Sequence, residues 1–287
     1  MSPSRNPNQP VVVGVDESEQ SRIALRWAAH YATRHRVPLH IVYAIDVPVD
    51  FGPGVTAPIY DAERLRSHGE SVVGSAAAQA AELTDVAIST AAVEGTPVAV
   101  LRHRSKSALL LVVGSRGLGA LRRTLLGSVS TSLARHAECP VAVIPETELS
   151  SRNAVVVGVD GSLCSSHAIA IAFDEAARRG ARLTAVHVWS EFFRYEARAT
   201  MQTEAEAVLA ESLAGYAEKY PEVAVDRVVV QDRPAAALLA VAEGAQLIVV
   251  GSHGRGGFAG MTLGSVAQAV LHGAECPLII ARPEPTT

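Results

Sequence analysis

Glycine, serine and aspartate, repeated at fixed spacing, are the residues of this chain best suited to chemistry. Gly114 and Gly117 are followed by Gly127 and Ser128 in the pattern G-x-x-G-x9-G-S, which recurs at Gly251, Gly254, Gly264 and Ser265. Each loop begins where an apolar run stops, LLLVV (109–113) and LIVV (247–250), and ends where a helical pattern starts. A strand, a bare backbone and a helix N-terminus together suit a phosphate chain. Glycine lets amides come close, and the free N–H groups and the helix dipole favour an anion. Residues 112–140 and 249–277 share 14 identities in 29 positions at an offset of 137, so the motif is an internal repeat.

An aspartate recurs beside it. The runs VVVGVDES (11–18) and VVVGVDGS (155–162) end in Gly14-Val15-Asp16 and Gly158-Val159-Asp160 at an offset of 144. In an open parallel sheet, ligands bind outside the carboxyl ends of the strands, so strand-one ends and glycine loops can share a crevice. Asp16 and Asp160 could equally brace a turn, although Ser18 and Ser162 after them are better helix caps. Ser128 and Ser265 could cap a helix or bind a phosphate oxygen. Arg116, Arg122 and Arg123 in the first loop could turn inward toward phosphate or stand in solvent, and the second loop has His253 and Arg255 instead. His253 could act as a general base or as a polar loop residue. A dinucleotide fingerprint would follow strand one, and a G-x-x-x-x-G-K-[ST] loop needs a lysine; neither is present. No Ser-His-Asp or paired-carboxylate constellation is visible.

The elements that position these loops alternate between strand and helix. After a polar tail (1–10), strands are expected at the VVVG run, LHIVYAI (39–45), 86–93, 109–113 and VAVI (141–144). Helical spacing follows Ser18 and runs from Ile59 to Leu83, and Pro97 opens another helix. The Pro- and Gly-bearing stretch 46–58 is long enough for a lid. The polar stretch 147–153 reads as a linker, after which the series restarts, with LTAVHVW (183–189) as strand two and Pro234 matching Pro97. Alternating strands and helices imply right-handed crossovers and a parallel sheet. The expected fold class is therefore α/β, in two tandem five-stranded repeats at 11–146 and 154–283.

Composition narrows the function. With 25 basic and 29 acidic residues the net charge is −4, which argues against a nucleic-acid or membrane-surface binder. Only Lys106 and Lys219 are lysines. Cys139, Cys164 and Cys276 form no C-x-x-C pair and no metal-ligand spacing, so no metal site built from side chains is expected, and an odd count suits a reducing compartment. No apolar run approaches the length of a membrane span, and the sequence reads as soluble and cytoplasmic.

The spacing G-x-x-G-x9-G-S, the V-G-V-D openings and the A-E-C-P-x-x-x-I ending of the first repeat resemble the universal stress protein family over nearly the whole chain. The two-copy layout is similar to its tandem actinobacterial members. The resemblance implies a Rossmann-like, adenine nucleotide alpha hydrolase-like fold with strand order 3-2-1-4-5 and ATP at the carboxyl edge, with Mg²⁺ accompanying the triphosphate. It implies that Asp16 and Asp160 meet adenine or ribose, and that Ala44 and Val188 offer backbone contacts to adenine. The phosphates would rest on Gly114, Ser115, Arg116, Gly117, Leu118, Gly119, Ala120, Gly127, Ser128, Val129 and Ser130. In the second copy they would rest on Gly251, Ser252, His253, Gly254, Arg255, Gly256, Gly257, Gly264, Ser265, Val266 and Ala267. Ala267 lacks the hydroxyl of Ser130, so the copies are unequal. The leading expectation is an ATP-binding regulator with two sites per chain, an unidentified protein partner and a homodimeric state. The alternatives are a slow ATP hydrolase or phosphotransferase, and an interaction module holding another adenine ligand.

Overall fold

The computed structural model describes residues 9–46, 61–117, 126–146, 151–190, 198–255 and 262–283. All of the expected lid at 46–58 except residue 46, most of the tail, and linker residues 147–150 lie outside them. The chain forms two compact units, Met1–Cys139 and Pro140–Thr287.

In the first unit β1 (Val11–Gly14), α1 (Glu19–His35), β2 (Leu39–Ile45), α2 (Ala62–Ala81), β3 (Ile88–Glu94), α3 (Pro97–Ser105), β4 (Leu110–Gly114) and α4 (Ser128–His136) alternate. The strands lie in the order β3-β2-β1-β4, all parallel, with Val11 opposite Leu39 on one side and Leu110 on the other. Val11, Val12 and Val13 are all buried, as a parallel strand covered on both faces requires. Because strand order reverses at β1, α1 and α2 pack together on one face while α3 and α4 pack on the other.

The second unit contains β5 (Val141–Ile144), β6 (Ala154–Val159), α5 (Leu163–Arg179), β7 (Arg182–Trp189), α6 (Arg198–Ser212), α7 (Tyr216–Lys219), β8 (Val225–Gln231), α8 (Pro234–Val241), β9 (Leu247–Gly251), α9 (Ser265–Gly273) and β10 (Leu278–Ala281). Its parallel strands run β8-β7-β6-β9-β10, the 3-2-1-4-5 order. β5, the last strand of the first repeat, falls in this unit because it pairs antiparallel with β10, Ala142 opposite Ile279. The α/β class and its tandem repetition are as the sequence suggests.

The helix starts also follow their sequences. Ser18 and Ser162 accept from the N–H groups of Ser21 and Ser165, each at 3.2 Å, and so cap α1 and α5. Among the described residues no helix is long and apolar enough to cross a membrane.

Cys139 and Cys276 are buried whereas Cys164 is half-buried, and none forms a disulfide. Burial pushes the Cys276 thiol up from an ordinary 9.0 to about 11. A disulfide reagent at pH 8 is therefore expected to modify Cys164 quickly, with Cys276 and Cys139 reacting only on unfolding. Because the folded-state value lies above the ordinary one, this thiol's contribution to stability is intact below about pH 9 and is lost as pH rises through about 11. Thiol counting on native and denatured protein checks the first statement, and unfolding followed between pH 8 and about 11 checks the second.

Candidate functional site

The structure brings the strand-one aspartates to the glycine loops in both repeats. At Gly117 a Cβ would stand 2.5 Å from Asp16 Oδ2, and at Gly254 a Cβ would meet Asp160 Oδ2 just as closely. Neither glycine has a positive φ, so glycine is required by close approach and not by an unusual backbone.

Each aspartate divides its two oxygens between two tasks. Asp16 Oδ1 accepts from the Ser18 N–H at 3.0 Å and from the Ser18 hydroxyl, and Asp160 Oδ1 accepts from the Ser162 N–H at 2.9 Å. Turn bracing is therefore real, yet it leaves Oδ2 facing the loop. Ser21 and Ser165 fix the same turns: the Ser21 hydroxyl donates to the Asp16 carbonyl, and the Asp160 N–H donates to Ser165 Oγ at 3.1 Å. In the second repeat the Ser162 hydroxyl also donates to the His253 carbonyl at 3.3 Å, tying strand end to loop.

The far end of each loop closes on its beginning. The N–H of Gly127 donates to the Ser115 carbonyl at 2.7 Å, and that of Gly264 to the Ser252 carbonyl at 2.8 Å. Gly127 and Gly264 are then the N-caps of α4 and α9, and no side chain caps either helix. Ser128 and Ser265 stand one residue further on, inside the helix, so they are not the caps that their sequence position allows. Val129 and Val266 follow them. The first amides of each helix have no intrahelical acceptor, which leaves them for an anion.

Ser130 is the position that the resemblance sets near the phosphates. Its hydroxyl, 2 % exposed, donates to the carbonyls of Ser115 at 3.0 Å and Gly127 at 2.9 Å, bracing the loop base. Ala267 cannot do this. Ser252, also buried, instead lies 3.1 Å from His253 Nδ1 and donates to Cys164 Sγ at 3.6 Å. Gly251 allows that packing, since a Cβ there would stand 2.9 Å from the Cys164 backbone, and Gly114 likewise accommodates Gln20.

These parts enclose a cavity of about 310 Å³ in the second repeat. Gly158, Val159 and Asp160 form its floor, with Val186 and Val188 from β7 on one side. Gly251, His253, Gly254 and Arg255 from the loop and Gly264 to Ala267 at the α9 N-terminus face them. Pro234 and Leu238 of α8 add an apolar wall that no local pattern in the chain singles out. Gly158 admits it, a Cβ there being 3.2 Å from Leu238 Cδ1, and Gly14 receives Leu101 in the same manner. An apolar slot with an acid at its floor and free amides at one end fits a flat heterocycle carrying a sugar and an anion.

In the first repeat Ala44 lies near the end of β2, opposite Val93, and Arg116 is half-buried. Leu118, Gly119, Ala120, Arg122 and Arg123, and Gly256 and Gly257 of the second loop, lie outside the described residues. A separate cavity of about 250 Å³ opens beside Asp16 on the α1/α2 face, lined by Glu17, Ser21, Arg22, His68 and Gln79 among others. It lies on the face away from the α4 N-terminus, so the crevice reading does not rest on it. Nearby, burial raises the Tyr43 phenol above its ordinary value, with the Glu17 and Asp16 carboxylates adding to the shift.

Fold and crevice together define a duplicated α/β protein whose glycine loops close on strand-one aspartates at the carboxyl edge of the sheet. The universal stress protein family profile matches residues 7–145 and 152–282, and the chain belongs to that family. It is 45% identical over 284 residues to universal stress protein Rv2005c of Mycobacterium tuberculosis, covering 95% of this chain and 96% of that protein. It is 43% identical over 295 residues to Rv2623 of the same organism, covering 97% and 98%. Among solved structures, a universal stress protein from Archaeoglobus fulgidus matches with a TM-score of 0.70 at 22% identity, over 96% of this chain and 98% of that one.

Proposed function

We propose that the protein is an ATP-binding regulator with one nucleotide site in each repeat, 11–146 and 154–283, acting in stress or dormancy responses. The observation that carries this reading is the second-repeat cavity, where Asp160, the Gly254 loop and the uncapped α9 N-terminus converge beside an apolar slot. Recurrence of the aspartate–glycine approach at Asp16 and Gly117 supports a matching first site.

Adenine would enter between Leu238 and the valines, its edge reading the β7 backbone near Val188, while Asp160 Oδ2 accepts a ribose hydroxyl. The phosphates, with Mg²⁺, would lie along the loop toward Ser265, Val266 and Ala267. Ligand that bridges strand end and loop favours whichever conformation keeps them together, and a partner protein or second copy in the cytoplasm would read that state.

Mass spectrometry of whatever leaves the purified protein on denaturation tests this directly. ATP at close to two molecules per chain is the expected result. Absence of any released nucleotide, together with no ATP binding in calorimetry, would sink the reading.

A further inference from the structure

The two repeats part company at the rim of the crevice, at a pair of positions that lie against each other in the second repeat. In the second repeat the residue after the aspartate is Gly161, with φ +74°, a conformation that disfavours any side chain. A Cβ there would fall within the Arg255 guanidinium, whose Cζ would be 3.0 Å away and Nε 3.2 Å. Arg255 thus lies directly over the strand-one turn and lines the cavity together with Asp160 and the start of α9. Among the described residues it forms no ion pair. At the corresponding positions the first repeat has Glu17 and Leu118. Glu17 Oε2 lies 3.2 Å from His68 Nε2 on the α1/α2 face, so the first repeat carries a side chain where the second has bare backbone.

This exchange changes what each rim can recognise. The second has one acid at its floor, suited to hydroxyls, and one guanidinium at its mouth, suited to phosphate oxygens. The first repeat has the matching acid, Asp16, but no arginine at the sequence position of Arg255, and its Glu17 carboxylate turns to His68 on the α1/α2 face. We infer that Arg255, seated on Gly161, is the residue by which the second crevice tells nucleotides apart by phosphate number, holding a triphosphate more tightly than a monophosphate. Gly161 is part of the device, because any side chain there would displace the guanidinium.

The inference rests on the nucleotide reading above, and its test separates the two. Calorimetry with ATP and with AMP is performed on the full chain in a Gly117→Asp background, which removes the first crevice. The expected result is a preference for ATP of about tenfold or more, falling to within about threefold in Arg255→Leu while AMP affinity stays nearly constant. Arg255→Lys should retain part of the preference, and Gly161→Glu should lose it as Arg255→Leu does. Circular dichroism and thermal unfolding confirm that each variant is folded. An ATP-to-AMP ratio unchanged by Arg255→Leu overturns the assignment and leaves nucleotide binding standing. A folded protein that binds neither nucleotide overturns both.

Discussion

Gly254→Asp is expected to abolish nucleotide binding at the second crevice, by about 100-fold or more, in a protein that stays folded. Even a Cβ at this position would meet Asp160 Oδ2, and Asp160 cannot swing away. Its Oδ1 is held by the Ser162 N–H at 2.9 Å and its own N–H by Ser165 Oγ at 3.1 Å. The loop cannot yield easily either, since Gly264 closes it on Ser252 at 2.8 Å. A new carboxylate also places like charges in contact, so one must take up a proton or the loop must open, and any negative charge left repels phosphate. Gly254→Ala applies the steric part alone and is expected to cost less, about tenfold. Gly254 is exposed, so thermal unfolding should move little. Gly117→Asp should act identically on the first crevice, where a Cβ would stand 2.5 Å from Asp16 Oδ2. Calorimetry on the two single variants and the double should show half, half and none of the wild-type capacity. Undiminished capacity in the double variant would exclude these loops as the site.

The juxtaposition behind this expectation was legible because each part carries a local signal and the chain states it twice. Valine runs mark buried parallel strands, and breaks at Gly114 and Gly251 mark their carboxyl ends. Topology then places strand-one ends next to strand-four ends. What stayed hidden depends on contacts between distant elements. Nothing in the sequence says that Leu238 walls the crevice, because that requires knowing that α8 lies on the same face as α9. The inward hydroxyl of Ser130 and the position of Ser128 inside its helix turn on a single-residue placement of the helix start, the least readable feature of any element. The seat of Arg255 over Gly161 was hidden for another reason: the two residues are 94 positions apart and neither is unusual in its own segment.

Stability and binding should separate cleanly at Phe173, where the largest loss of stability is expected. Its side chain is 1 % exposed and stacks on Tyr216 with ring centroids 4.6 Å apart and on Tyr220 at 5.6 Å. The four-residue helix α7, which carries Tyr216, is too short to persist alone, so the aromatic stack is what docks it against α5. Phe173→Ala removes the shared ring and leaves a cavity, costing about 3–5 kcal/mol and lowering the unfolding midpoint by about 10 °C. Phe173→Leu keeps much of the volume and should cost markedly less. A second signal identifies the cause. Burial, with Tyr220 beside it, holds the Tyr216 phenol above its ordinary value, so its absorbance should titrate at lower pH once the stack is opened. Phe173 does not line the second crevice, and well below the midpoint Phe173→Ala should bind nucleotide like the wild type. A midpoint shift under about 2 °C would show that α7 is held by other contacts. Loss of binding in a still-folded Phe173→Ala protein would mean instead that packing at the middle of α5 reaches the crevice through its first turn, where Ser162 and Ser165 hold Asp160.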